Sequence, residues 1–179
     1  MKKLEIGLIH IYTGDGKGKT TAAIGQGTRT AGGGYKVLMT QFLKGDDTGE
    51  INSIEKMAPN FKIKRFAGIR NFYRNLSDEG KQQVKVEAKE GIAYIKKALQ
   101  EETYNLIIMD EIMAVLYNEI LEVTEVVDLL KSKPEHVEMI LTGRNAPIEL
   151  VELADYVTEM KMIKHPFQKG IYARKGIES

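Results

Sequence analysis

Residues 13–21 read Thr-Gly-Asp-Gly-Lys-Gly-Lys-Thr-Thr and stand between a short apolar run at 7–12 and a helix-like stretch at 19–31. A glycine-rich turn that ends a strand and opens a helix is the setting of a phosphate-binding loop. Glycine lets backbone N–H groups point into such a loop without a Cβ clash. The helix N-terminus adds the positive end of its dipole. Lys19 supplies an ammonium for phosphate oxygens, and the Thr20 hydroxyl suits Mg²⁺. Gly14, Asp15, Gly16, Lys17, Gly18 and Thr21 complete the expected nucleotide contacts. The usual loop has four residues between its first glycine and the Gly-Lys-Thr, but here only three separate Gly14 from Gly18, and position 13 is threonine. A shorter loop is expected to hold a phosphate chain differently from an ordinary ATPase.

The rest of the chain alternates strand-like and helix-like segments. Strands are expected at 36–42, 61–66, 106–109, 137–141 and 157–163. Helices are expected at 50–57, from Ser77 onward, at 122–131 and at 147–153. In the long helix Val84, Ala88, Ile92, Ile95 and Leu99 recur at helical spacing. This βα alternation predicts an α/β fold, a RecA-like three-layer sandwich around a mainly parallel sheet. The 179 residues fit one domain spanning 1–179. Ligands on such sheets bind at the carboxyl ends of the strands. The loops after Tyr12, Phe42, Met109 and Leu141 should therefore share one edge.

The run 106–109 ends in Asp110 and Glu111. Carboxylates at that point in a phosphate-loop fold stand near the metal, and hard cations favour oxygen ligands. Thr20, Asp110 and Glu111 are the metal-ligand candidates. Either carboxylate can be the direct ligand, with the other acting through water or a ribose hydroxyl. With Lys19, Glu111 is the catalytic candidate.

Composition closes off other classes. The chain has no cysteine, which excludes disulfides and thiolate metal sites. A net charge of +1 gives no reason to expect nucleic acid or an anionic membrane. No apolar run approaches the roughly 20 residues of a membrane span, and the N-terminus does not read as a signal peptide. The cytoplasm is the expected location.

Further segments complete a pattern. They are Gly-Lys-Gly-Lys-Thr-Thr-Ala-Ala at 16–23, Gln-Phe-Leu-Lys-Gly at 41–45, Asp110-Glu111, and Leu-Thr-Gly-Arg-Asn-Ala-Pro at 141–147. Ala-Asp-Tyr-Val-Thr-Glu-Met at 154–160, Lys-His-Pro-Phe at 164–167 and Gly-Ile-Glu at 176–178 follow. As an ordered set they resemble the ATP:cob(I)alamin (corrinoid) adenosyltransferases of the phosphate-loop fold. The likeness is strongest at 12–45 and 106–178 and weakest at 46–105.

The resemblance implies a transferase in which a reduced corrinoid attacks C5′ of ATP and displaces triphosphate. The acceptor would be cob(I)alamin or cobyrinate a,c-diamide, in adenosylcobalamin biosynthesis or salvage. ATP would lie reversed in the loop, and Mg²⁺ or Mn²⁺ would accompany it. A homodimer is implied, as is a reductase or flavodoxin that supplies Co(I). Arg29 and Arg144 match arginines placed near the nucleotide. The family commonly has a Phe-x-Trp element covering the corrin. This chain has no tryptophan and offers Phe72 and Tyr73 instead. Two rival readings are a phosphate-loop kinase or ATPase releasing ADP, and a non-catalytic nucleotide or single-strand nucleic-acid module using the basic and aromatic stretch 61–74.

Overall fold

The computed structural model describes residues 2–43, 48–68 and 73–177. Phe72, with its neighbours 69–71, and residues 44–47 and 178 lie outside them. Six strands form one sheet: β1 (Ile9–Thr13), β2 (Val37–Phe42), β3 (Phe61–Phe66), β4 (Leu106–Asp110), β5 (Glu138–Thr142) and β6 (Tyr156–Glu159). Their order is β3-β2-β4-β5-β1-β6, and every pairing is parallel. The helices are α1 (Lys19–Gly32), α2 (Gly49–Glu55), α3 (Asp78–Gln100), α4 (Ile112–Tyr117), α5 (Val123–Lys131) and α6 (Ile148–Leu153).

Strand alternation sorts the core into two layers. On one face Leu38, Phe42, Ile107, Met109, Met139, Leu141, Ile9 and Ile11 pack with residues of α3, α4, α5 and α6. On the other, Val37, Met39, Phe61, Leu106, Ile108 and Ile140 pack against Ala23 and Ala31 of α1 and Ile54 of α2. Central strands β2 and β4 are buried throughout, as strands covered on both faces must be. Ser77 caps α3 by accepting from the Gly80 N–H at 3.2 Å.

Two expectations need correction. The last strand stops at Glu159 and does not run on to Ile163. The Met160 N–H donates to Thr13 O at 2.8 Å, and its carbonyl then accepts from Gly16 N at 2.6 Å, so the chain turns onto the phosphate loop. A further short helix, α4, follows Glu111 directly where no element was expected. Its sequence Ile-Met-Ala-Val-Leu-Tyr is apolar all round, with four of the six residues buried, so no period marks it. No helix among the described residues is long and apolar enough to cross a membrane.

Candidate active site

Because all six strands are parallel, the loops after β1, β2, β4 and β5 meet at one edge. The phosphate loop leaves β1 there and leads into α1. Lys19 reaches back across the loop and donates to Gly14 O at 2.6 Å and Gly16 O at 2.8 Å. Burial holds its ammonium below the ordinary lysine value. Arg144 pushes the same way, while Glu111 and Asp15 oppose it. An anion in the loop would stabilise that charge. The first turn of α1 holds no acid and no side-chain cap, so the positive end of its dipole faces the loop without a counter-charge of its own.

The glycines are required by a neighbour. A Cβ on Gly16 would stand 2.6 Å from Met160 O and 2.9 Å from the Lys161 carbonyl carbon. Gly14, at φ 94°, would place one 2.5 Å from the same Met160 oxygen. The backbone after β6 thus sets the outer wall of the loop. Gly16→Ala is expected to displace the loop and raise the KM for ATP at least about tenfold, since small misplacements of a positioning element cost that much or more. Gly25→Ala on α1 is the control, because nothing lies within 4 Å of its Cβ position. It should raise stability by up to about 1 kcal/mol through helix propensity. Steady-state kinetics and thermal melts on the two variants check the contrast.

Across the sheet from the loop stands a buried carboxylate. Asp110 ends β4 with no exposed surface. Its Oδ1 accepts from the Thr20 hydroxyl at 2.8 Å and the Thr142 hydroxyl at 2.7 Å. Its Oδ2 accepts from Gln41 Nε2 at 3.3 Å. The register explains the convergence: Gln41 pairs with Asp110, and Met109 pairs with Leu141, so Gln41, Asp110 and Thr142 lie in one row on the α1 face. The β5 strand separates β4 from β1, which sets the carboxylate about 10 Å from the loop strand at roughly 4.8 Å per strand. Thr142 bridges that gap. Its oxygen also accepts from the Glu111 N–H at 2.9 Å. Glu111 itself sits at φ 64°, in the left-handed region, and opens α4. That strain is held by the network beneath it.

The arrangement gathers most of the expected residues. Lys19, Thr20, Asp110, Glu111 and the loop 14–18 form one constellation, with Thr21 following on α1. Arg144 folds towards the loop, with Nε 3.7 Å from Asp15 Oδ1 and an N–H donated to Asp15 O at 3.5 Å. Arg29 stands apart, exposed in the last turn of α1. It lies ten residues past Lys19, roughly 15 Å along the helix axis. Tyr73 lies on the β3–α3 connection, half-buried against the apolar layer. That connection leaves the same sheet edge, four strand positions from β1. Sequence reading assigned no role to Thr142 or Gln41. The signal for both is a polar residue closing an apolar strand on the ligand edge.

Comparison with known proteins bears on this geometry. The sequence profile described as ATP:corrinoid adenosyltransferase BtuR/CobO/CobP matches residues 5–179. The chain belongs to the ATP:corrinoid adenosyltransferase family. A corrinoid adenosyltransferase of Sinorhizobium sp is 37% identical over 97% of this chain and 81% of its own length. One from Escherichia coli is 34% identical over 97% of this chain and 86% of its own. Among solved structures, a KaiC-like protein of Pyrococcus horikoshii aligns over 98% of this chain and 77% of its own, with a TM-score of 0.55 and 16% identity. That likeness speaks for the phosphate-loop fold of this adenosyltransferase-family chain, and for the fold alone.

Proposed function

We propose that this enzyme transfers the 5′-deoxyadenosyl group of ATP to the cobalt of a reduced corrinoid, cob(I)alamin or cobyrinate a,c-diamide, and releases triphosphate. The observation that carries the reading is the intact phosphate loop, with Lys19 and Thr20 tied to Asp110, inside a family match that spans residues 5–179. Cobalt attacks C5′ with its electron pair. The Co–C bond forms as the C5′–O bond breaks, and the triphosphate keeps that pair. Co(I) carries no proton, so the step needs no protein base. It needs alignment and a stabilised leaving group. Lys19, released from the Gly14 and Gly16 carbonyls, and the positive N-terminal end of α1 are suited to those oxygens. Arg144, fixed beside Asp15, adds positive charge at the mouth, and Arg29 is read as a more distant nucleotide contact. Phe72 and Tyr73 are read as covering the corrin.

The residues present fit Mg²⁺ or Mn²⁺. The Thr20 hydroxyl and the Asp110 carboxylate already meet at 2.8 Å, Glu111 follows in sequence, and phosphate oxygens would complete an all-oxygen donor set. A bound ion would neutralise charge on the leaving triphosphate. Excess chelator is expected to abolish adenosylation and Mn²⁺ to restore it. Full activity in chelator would refute the metal assignment.

Product analysis tests the whole reading. ATP with a chemically reduced corrinoid should give triphosphate and an adenosyl corrinoid, whereas ADP would indicate a kinase or ATPase. Residues 1–179 act as one domain in this reading. A reductase or flavodoxin supplies Co(I), and that chemistry suits the cytoplasm. Strand β6 is exposed along its whole length, with Tyr156 and Val157 uncovered, which supports a homodimer.

A further inference from the structure

The chain after β6 builds a second feature beside the phosphate loop. Residues 161–166 and the loop residues Gly16 and Lys17 line a surface cavity of about 280 Å³, open to solvent. Among the described residues its ionisable lining is basic, from Lys17, Lys161, Lys164 and His165. Among the described residues no carboxylate lines it, although Glu159 Oε2 stands 3.6 Å from the Lys161 ammonium. Met162, Ile163 and Pro166 supply apolar walls. His165 Nδ1 accepts from the Phe167 N–H at 3.2 Å, so a ring hydrogen is carried on Nε2 and is available for donation. The backbone fixes the cavity against the loop, because Gly16 N donates to Met160 O at 2.6 Å.

A cavity with apolar walls and cationic corners suits the rim of a large apolar ring system that bears acidic arms. Triphosphate alone would leave Met162, Ile163 and Pro166 unused. Resting on the proposed reaction, we infer that this cavity is a specificity subsite that receives an acidic peripheral group of the corrinoid, with Lys161 and Lys164 as its anion-recognising side chains. The shared chemistry is an oxyanion carried on an apolar macrocycle, either a free carboxylate or the phosphodiester of the nucleotide loop. The subsite sorts corrinoids by their acidic arms, independently of the cobalt chemistry.

The test uses the full chain and three corrinoids: cobyrinate a,c-diamide with free carboxylates, cobalamin with a phosphodiester, and cobinamide with neither. Equilibrium binding of each Co(II) form and the KM of each Co(I) form are measured for wild type, Lys161→Gln/Lys164→Gln and Lys161→Arg/Lys164→Arg. The glutamine pair is expected to weaken the acid-bearing corrinoids about tenfold, a difference of about 1.4 kcal/mol. Cobinamide and the KM for ATP should stay within about twofold, and the arginine pair should retain wild-type selectivity because it keeps the charges. A loss confined to cobyrinate diamide identifies the carboxylates as the recognised group, and one confined to cobalamin identifies the phosphodiester. Equal changes for all three corrinoids, or no change, would overturn the inference. Failure of the wild type to release triphosphate with any of them would instead overturn the proposed reaction, and the binding arm would still report on the lysines.

Discussion

Lys19→Ala should lower adenosylation turnover at least about 100-fold, the scale on which a preorganised electrostatic group acts. The ammonium is poised for this. It spans the loop between two carbonyls in a half-buried site that disfavours its charge, so it gains more from an arriving phosphate than an exposed lysine would. Removal leaves the Gly14 and Gly16 carbonyls to water, and the fold should survive. The lowered position of Lys19 carries a sign for stability. Relative to the unfolded chain, the folded state disfavours the protonated form. The penalty is present at neutral pH, shrinks as pH rises through the folded value, and is gone above the unfolded one. Lys19→Ala should therefore leave the melting temperature near pH 7 unchanged or slightly higher while turnover collapses. Single-turnover triphosphate release alongside thermal melts checks both halves. Near-normal turnover would remove the phosphate loop from the mechanism.

A comparable loss, again at least about 100-fold, is expected for Asp110→Asn, because the site gives up its buried negative charge while keeping its shape. One oxygen of the new amide can still accept from Thr20 and Thr142. The nitrogen then faces Gln41 Nε2, donor against donor, where a carboxylate oxygen accepted at 3.3 Å. Rotation of the Gln41 amide relieves this but gives up its 3.4 Å contact to Glu50. The structural cost should be about 1–2 kcal/mol, the range for an impaired buried hydrogen bond. The two readouts separate a ligand role from a packing role, since melting should shift by a few degrees while metal-dependent turnover nearly vanishes. If turnover merely followed stability, the metal role would pass to Glu111.

Most of this edge was legible in the sequence because a phosphate loop needs local features, and local features can be read in order. Thr13–Thr21 named the loop, and the apolar run into Asp110 named the acid. What links them is not local. Thr20 and Thr142 meet on one oxygen of Asp110 only because β5 lies between β1 and β4, and strand order is not written in the periodicity of any single strand. The overlong last strand has a similar origin. Residues 157–163 carry enough apolar side chains to pass for a strand, but the Met160 backbone is engaged by Thr13 and Gly16. The α4 helix was invisible because its six residues are apolar all round and show no amphipathic stripe. Arg29 matched a family position in sequence, yet its place at the far end of α1 follows from helix rise alone.

The strand order also decides when the enzyme can exist during synthesis. Of the six strands, the one that carries the phosphate loop is made first, yet its sheet neighbours are β5 and β6, the last two of the six. Closing those pairings spans more than a hundred residues of chain, and such non-local contacts form late and slowly. A nascent chain that has emerged only through residue 137 can assemble the β3-β2-β4 half, with α3 folded over it, while β1 has no partner strand. The loop and the acid then belong to separate pieces, and Thr142, the residue that unites them, has not yet been delivered. Nucleotide binding should therefore appear abruptly once β5 and β6 have emerged, and growing chains should be exposed to misassociation through an unpaired, apolar β1 until then.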